Sequence, residues 1–69
     1  MIDPLLINPD KHHVFVEAVG FHKRYNVYIK EWGDDGRYID SRRDQDSEAA
    51  EHFAKLWKEE YGLTVIGKI

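Results

Sequence analysis

The segment RYNVYIKEWGDDGRYIDSRR, residues 24–43, decides the architecture of this chain. Tyr25 to Trp32 and Arg37 to Arg42 are rich in β-branched and aromatic side chains, and the polar run between them holds Gly33 and Gly36. Two such runs joined by a short glycine-containing connection read as a β-hairpin. The expected connection is a three-residue loop, Asp34-Asp35-Gly36, with Gly36 in the left-handed conformation. That register pairs Trp32 with Tyr38, Lys30 with Asp40 and Tyr28 with Arg42. An aromatic pair, an opposite-charge pair and a cation over a ring then share one face. Slipping by one residue would set Glu31 against Asp40, and like charges directly opposite are unfavourable. Tyr25, Val27, Ile29 and Ile39 fall on the other face, which is the expected core face.

Working towards the N-terminus, His13 to Val19 reads as a further strand. If Val14, Val16 and Ala18 face the core, Phe15 emerges near Tyr28; the opposite choice buries Phe15 and Val19. Both orientations are compatible with the sequence. Residues 1–11 contain both prolines, Pro4 and Pro9. Proline excludes a helix there, so an extended arm or edge strand is expected, with Leu5 and Ile7 docking on the core and Asn8-Pro9-Asp10 forming a turn.

Towards the C-terminus, Ala50, Phe53, Ala54, Trp57 and Tyr61 recur at helical spacing, which predicts an amphipathic helix over 47–61. Asp46 or Ser47 can cap its start, and Gly62 is placed to end it. Leu63 to Ile69 reads as a last short strand. The expected fold is α+β, in the order βββαβ. One domain over 1–69 holds an antiparallel sheet, packed on one face by a single helix and open on the other.

Composition bounds the function. The chain has 69 residues, no cysteine, nine aromatics and a formal net charge of −3. Without cysteine there are no disulfides, thiolate metal sites or thiol nucleophiles. No apolar run approaches the roughly 20 residues of a membrane span. The first residues lack the basic start and apolar stretch of a signal peptide, so a cytoplasmic location, in this cell or a host cell, is expected. Charge is uneven: residues 1–19 carry −2, residues 20–43 carry +2 and residues 44–69 carry −3. A mildly basic middle thus lies between acidic ends, and an acidic chain is poorly suited to avid non-specific duplex binding.

From Tyr25 to Phe53, a hairpin, a third strand and a polar turn lead into Ser47-Glu48-Ala49-Ala50 at the helix start. This arrangement resembles AP2-type DNA-binding domains and the amino-terminal arm-binding domains of phage-type integrases, over less than half the chain. The resemblance implies a three-stranded sheet in the DNA major groove with Arg24, Tyr28, Lys30 and Arg42 facing the groove. The chain differs from those families in its acidic balance and its final strand. By type alone, a small acidic single domain without enzyme motifs is similar to phage-encoded inhibitors of host machinery, including anti-CRISPR proteins.

The candidate site is the open sheet face: Arg24, Asn26, Tyr28, Lys30, Trp32, Tyr38, Asp40 and Arg42, joined by Phe15 and His13 if the first strand is oriented that way. Aromatic residues with arginine form the hot spots of protein interfaces, and basic residues interleaved with aromatics also suit nucleic acid. A protein partner is the first expectation and a nucleic acid the alternative; a homodimer through the same face is a third use. His12 and His13 alternate across a strand and are not expected to share a metal ion. They are expected, with His22 and His52, to be solvated. Ser41, Ser47 and Thr64 are the only hydroxyl nucleophiles of that type. Asp34 and Asp35 are explained as turn residues, and a pocket of a few hundred cubic ångströms is not expected in so small a chain. A non-enzymatic binding protein without metal or cofactor is the resulting expectation.

Overall fold

The computed structural model describes residues 7–20, 23–33 and 35–67. Its elements are β1 (His12–Val19), β2 (Arg24–Glu31), β3 (Tyr38–Gln45), α1 (Ser47–Tyr61) and β4 (Val65–Ile66). The sheet order is β3-β2-β1-β4, antiparallel except that β4 runs parallel to β1. The fold class is the α+β arrangement expected from the sequence. The expected contacts of Leu5, and the positions of Phe21, His22, Asp34, Lys68 and Ile69, lie outside the described residues.

Alternation of apolar residues along β1 and β2 gives the sheet its buried side. Val14 lies opposite Ile29 and Val16 opposite Val27. All four are buried and meet Ala50, Ala54 and Trp57 of α1, with Ile7 and Leu63 closing the ends. Removing side chains of this size from water contributes roughly 1.5–3 kcal/mol each. Tyr25, Ile39, Phe53 and Tyr61 pack around the rim of this cluster.

The helix is capped at both ends by the residues its sequence offers. The Asp46 carboxylate accepts the Ala49 N–H at 2.8 Å, so Asp46 rather than Ser47 is the cap. Gly62 adopts the left-handed conformation, with φ 67°, that ends the helix at Tyr61. Before β1, the expected turn is present: Asn8 C=O accepts from the Lys11 and His12 N–H groups, and the Asn8 side chain accepts from Asp10 N–H.

The β2–β3 hairpin departs from the expected register. Glu31 N–H donates to Arg37 C=O at 2.9 Å, so the connection runs from Trp32 to Gly36 and is five residues rather than three. Positive φ falls at Gly33 (99°), not at Gly36. Gly36 is required for a different reason: a Cβ there would collide with the Glu31 carbonyl. Lys30 now pairs with Tyr38, Ile29 with Asp40, Tyr28 with Ser41 and Val27 with Arg42. Irregularities occur between Ile29 and Lys30 and between Tyr25 and Val27. The first is a bulge that gives β3 an extra residue at Ile39 and reverses the faces of Asp40 to Arg42.

Candidate functional site

The open face is built from the residues that alternate with the core. His13, Phe15, Glu17 and Val19 on β1 stand opposite Lys30, Tyr28, Asn26 and Arg24 on β2. Phe15 is therefore on the open face, beside Tyr28 with ring centroids 6.2 Å apart. Tyr38 and Ser41 extend the face onto β3, and Ile66, opposite Phe15, extends it onto β4.

Six of the eight expected site residues are brought together here: Arg24, Asn26, Tyr28, Lys30, Trp32 and Tyr38. Asp40 and Arg42 are not. They lie opposite Ile29 and Val27 and so face the helix. The Arg42 guanidinium sits 5.5 Å from the ring centres of both Phe53 and Trp57. It also donates to the Asp40 carboxylate at 3.1 Å. Simple alternation would have turned Ser41 to the helix; the bulge at Ile39 instead puts a cation over two rings.

Tyr28 also differs from expectation. It is on the open face but buried, at 5% exposure, between Phe15, Tyr38 (centroids 4.7 Å apart) and the Arg43 guanidinium at 5.8 Å. It is the floor of the face rather than its contact surface. Burial, the largest cause, pushes its phenol pKa up, and hydrogen bonding from Asn26 opposes this. Its hydroxyl donates to Glu17 at 3.2 Å, and the Asn26 amide donates to both Tyr28 Oη and Glu17.

At the far end, Arg24 donates to the Asp44 carboxylate at 3.0 Å and to its carbonyl at 2.7 Å. The Arg24 guanidinium holds the Asp44 carboxyl below its ordinary pKa. Asp44 has φ 55°, a conformation that aspartate tolerates better than most residues. At the other end, Trp32 stacks on His13 with centroids 4.0 Å apart and planes 15° from parallel. His13 is buried, and its Nδ1 has no hydrogen-bond partner. His12, on the opposite face, is buried too, with Nδ1 accepting the Asn8 N–H. The expectation that these two histidines are solvated is thus corrected.

Lys30 lies between these ends. Its Nζ is 5.6 Å from the Phe15 ring centre and 5.7 Å from that of Tyr38. It forms no ion pair among the described residues. Around it the face is apolar and accessible. Of the five exposed large hydrophobic residues among those described, four lie on this face: Tyr38 (54% exposed), Trp32 (48%), Ile66 (40%) and Val19 (39%). Leu56 on the helix is the fifth.

Sequence reading missed Val19, Ile66 and Arg43. Val19 carries a signal in retrospect, because fixing Phe15 outward also fixes Val19 outward by strand parity, whereas the face of Ile66 is set by its pairing with Phe15 across β1 and β4. Arg43 carried none, because its face depends on the bulge.

The helix side holds a groove of about 450 Å³ between α1, β1 and β4 that is open to solvent rather than enclosed. Val16, Ala54 and Val65 form its apolar part, and Glu51, Lys55, Lys58 and Glu59 its charged part. No serine, threonine or histidine lines it. Among the described residues there is no group of three or more His, Cys, Asp or Glu side chains that could hold a metal ion. No helix among them is long and apolar enough to cross a membrane.

The described residues form a four-stranded α+β sheet with one side covered by the helix and the other left bare by them. Comparison with protein-family models, curated proteins and solved structures finds no match to the chain.

Proposed function

We propose that the chain is a protein-binding module whose interface is the open sheet face. One observation carries this reading: four large hydrophobic side chains stand 39–54% exposed on one uncovered sheet face in a chain of 69 residues. Exposed large apolar side chains gathered on one face mark interaction sites. Aromatic anchors around a central cation match the composition of interface hot spots.

The electrostatics support a protein rather than a nucleic acid. Of the groove-facing residues implied by the AP2-type resemblance, Arg42 lies towards the helix, Arg24 is engaged by Asp44 and Tyr28 is buried. Of the four, Lys30 stays on the open face without an ion pair among the described residues, Arg43 joins it there, and Glu17 and Asp44 share the surface. Phosphate neutralisation needs several free cations.

The test places a photo-cross-linking amino acid at Tyr38, with Leu56 as the control site on the helix. Cross-linking in cell extract from Tyr38 to protein, and not from Leu56, is the expected result. Cross-linking to nucleic acid only, or equal yields at both sites, would overturn the reading.

A further inference from the structure

Resting on the reading of the open face as a protein interface, we infer that its partner is a second copy of this chain. The two sheets pack face to face, related by a two-fold axis that runs across the strands.

The β3 edge of the sheet is not the route to association. On β3, Ser41 N–H donates to the Asp40 carboxylate at 2.8 Å and Ser41 C=O accepts from Arg42 at 2.9 Å. Gln45 donates to Arg43 C=O at 2.6 Å. Three main-chain groups of this edge, Ser41 N–H and C=O and Arg43 C=O, are thereby taken, and two irregularities bend the strand. What remains open is the face.

The face is self-complementary along its length. Take the Tyr28–Phe15 pair as its middle row. Two residues one way along β2 lies Lys30, paired with His13; two residues the other way lies Asn26, paired with Glu17. Lys30 has no carboxylate partner among the described residues. Among the described residues the Glu17 carboxylate receives only neutral donors, the Tyr28 hydroxyl and the Asn26 amide. Lys30 and Glu17, of opposite sign, thus flank the middle row at equal spacing; Arg43, a further cation without a carboxylate partner among the described residues, lies over the Tyr28 ring. A two-fold axis through that row, lying between the sheets, reverses the strand direction of the second copy. Each Lys30 then meets the Glu17 side of its partner, and the contact occurs twice. The same operation lays Tyr38 towards Arg43 and sets Ile66 near its own copy.

A two-fold contact of this type closes after two copies, so no filament follows. Facing sheets pack about 10 Å apart, a spacing that the side chains of Phe15, Trp32 and Tyr38 can fill. Three strands of eight residues give a footprint on the order of 400 Å² per copy before side-chain relief, at ~3.3 Å per residue and ~4.8 Å per strand. Counted over both copies that is about 800 Å², below the roughly 1,200 Å² at which stable specific interfaces begin, so a weak, reversible association is expected rather than a permanent dimer.

Sedimentation equilibrium of the full chain tests this, over about 10 µM to about 1 mM in low salt. The weight-average mass should rise from the 8.2 kDa of one chain towards twice that value and no further. Lys30→Glu and Glu17→Lys should each hold the mass near that of one chain, and the double variant Lys30→Glu/Glu17→Lys should restore the rise. Circular dichroism confirms folding of each variant. Should Glu17→Lys fail to fold through loss of its Tyr28 contact, Lys30→Glu and Trp32→Ala carry the comparison. A single-chain mass throughout, a mass that climbs past two copies, or variants that associate like the wild type would overturn the inference. The cross-link from Tyr38 separates this failure from that of the broader reading. A product joining two copies supports both, a product with another protein leaves only the broader one, and no protein product removes both.

Discussion

His13 combines three properties that rarely coincide: it is buried, it stacks on an exposed tryptophan, and its Nδ1 has no partner. Burial, followed by the nearby Lys30 charge and then His12, lowers its pKa below the ordinary 6.5. The folded chain therefore favours the neutral ring, whereas the unfolded chain takes up a proton as pH falls through 6.5. The contribution of His13 to stability is complete above that pH and is lost progressively below it. Thermal melts at about pH 7.5 and about pH 5.5 should show a larger acid-side drop in melting temperature for wild type than for His13→Phe, which keeps a stacking ring but cannot titrate. Equal drops would show that His13 is not the responsible group. None of this was readable in the sequence. Histidine is mostly solvated or only partly buried, and the residue that covers His13, Trp32, lies 19 positions away across a hairpin.

At the scale of elements, what was readable divides by how local the cause is. The helix was readable because its spacing, cap and terminal glycine lie within one segment. Asp46→Ala should lower unfolding free energy by ~1 kcal/mol, measured by chemical denaturation, because Ala49 N–H loses its acceptor. An unchanged midpoint would mean that another group takes over the cap. The register of β3 was not readable, because its cause lies in another element. Cross-strand charge pairs are worth roughly 0.2–1 kcal/mol, and the hairpin taken alone favours the register that makes most of them. The rings of Phe53 and Trp57, on a helix that begins after β3 ends, tip the choice by giving Arg42 a place to lie. The candidate site inherits this split. Its β1 and β2 residues follow from alternation, but the β3 members Asp40 and Arg42 were displaced by a single bulged residue. Those two residues now cap Ser41 at the strand edge. The double variant Asp40→Ala/Arg42→Ala should consequently form higher-order aggregates on concentration, visible by light scattering, while Lys30→Glu should not. Clear solutions of the double variant would show that the edge needs no such protection.

For the whole molecule, the arrangement of strands separates contacts by their distance along the chain. β1 and β2 are joined through a few residues, whereas β1 meets β4 only after some fifty residues and a helix have intervened. Contacts with long sequence separation close later because the chain entropy of the loop must be overcome first. The β4 pairing is also slight, two residues held beside Val14 and Phe15. Local opening should therefore begin there. Val14 N–H donates to Thr64 C=O at 2.8 Å, on the β4 side, whereas Val14 itself is fully buried. Native-state hydrogen exchange should find this amide less protected than those of Val27 and Ile29, despite equal burial. Equal protection at all three would mean that β4 opens only with the rest of the fold. A strand of two residues thus acts as a clasp. Its release would loosen one margin of the sheet while the β1–β2 hairpin and its helix stayed assembled, so the molecule can breathe at one side without unfolding at the other.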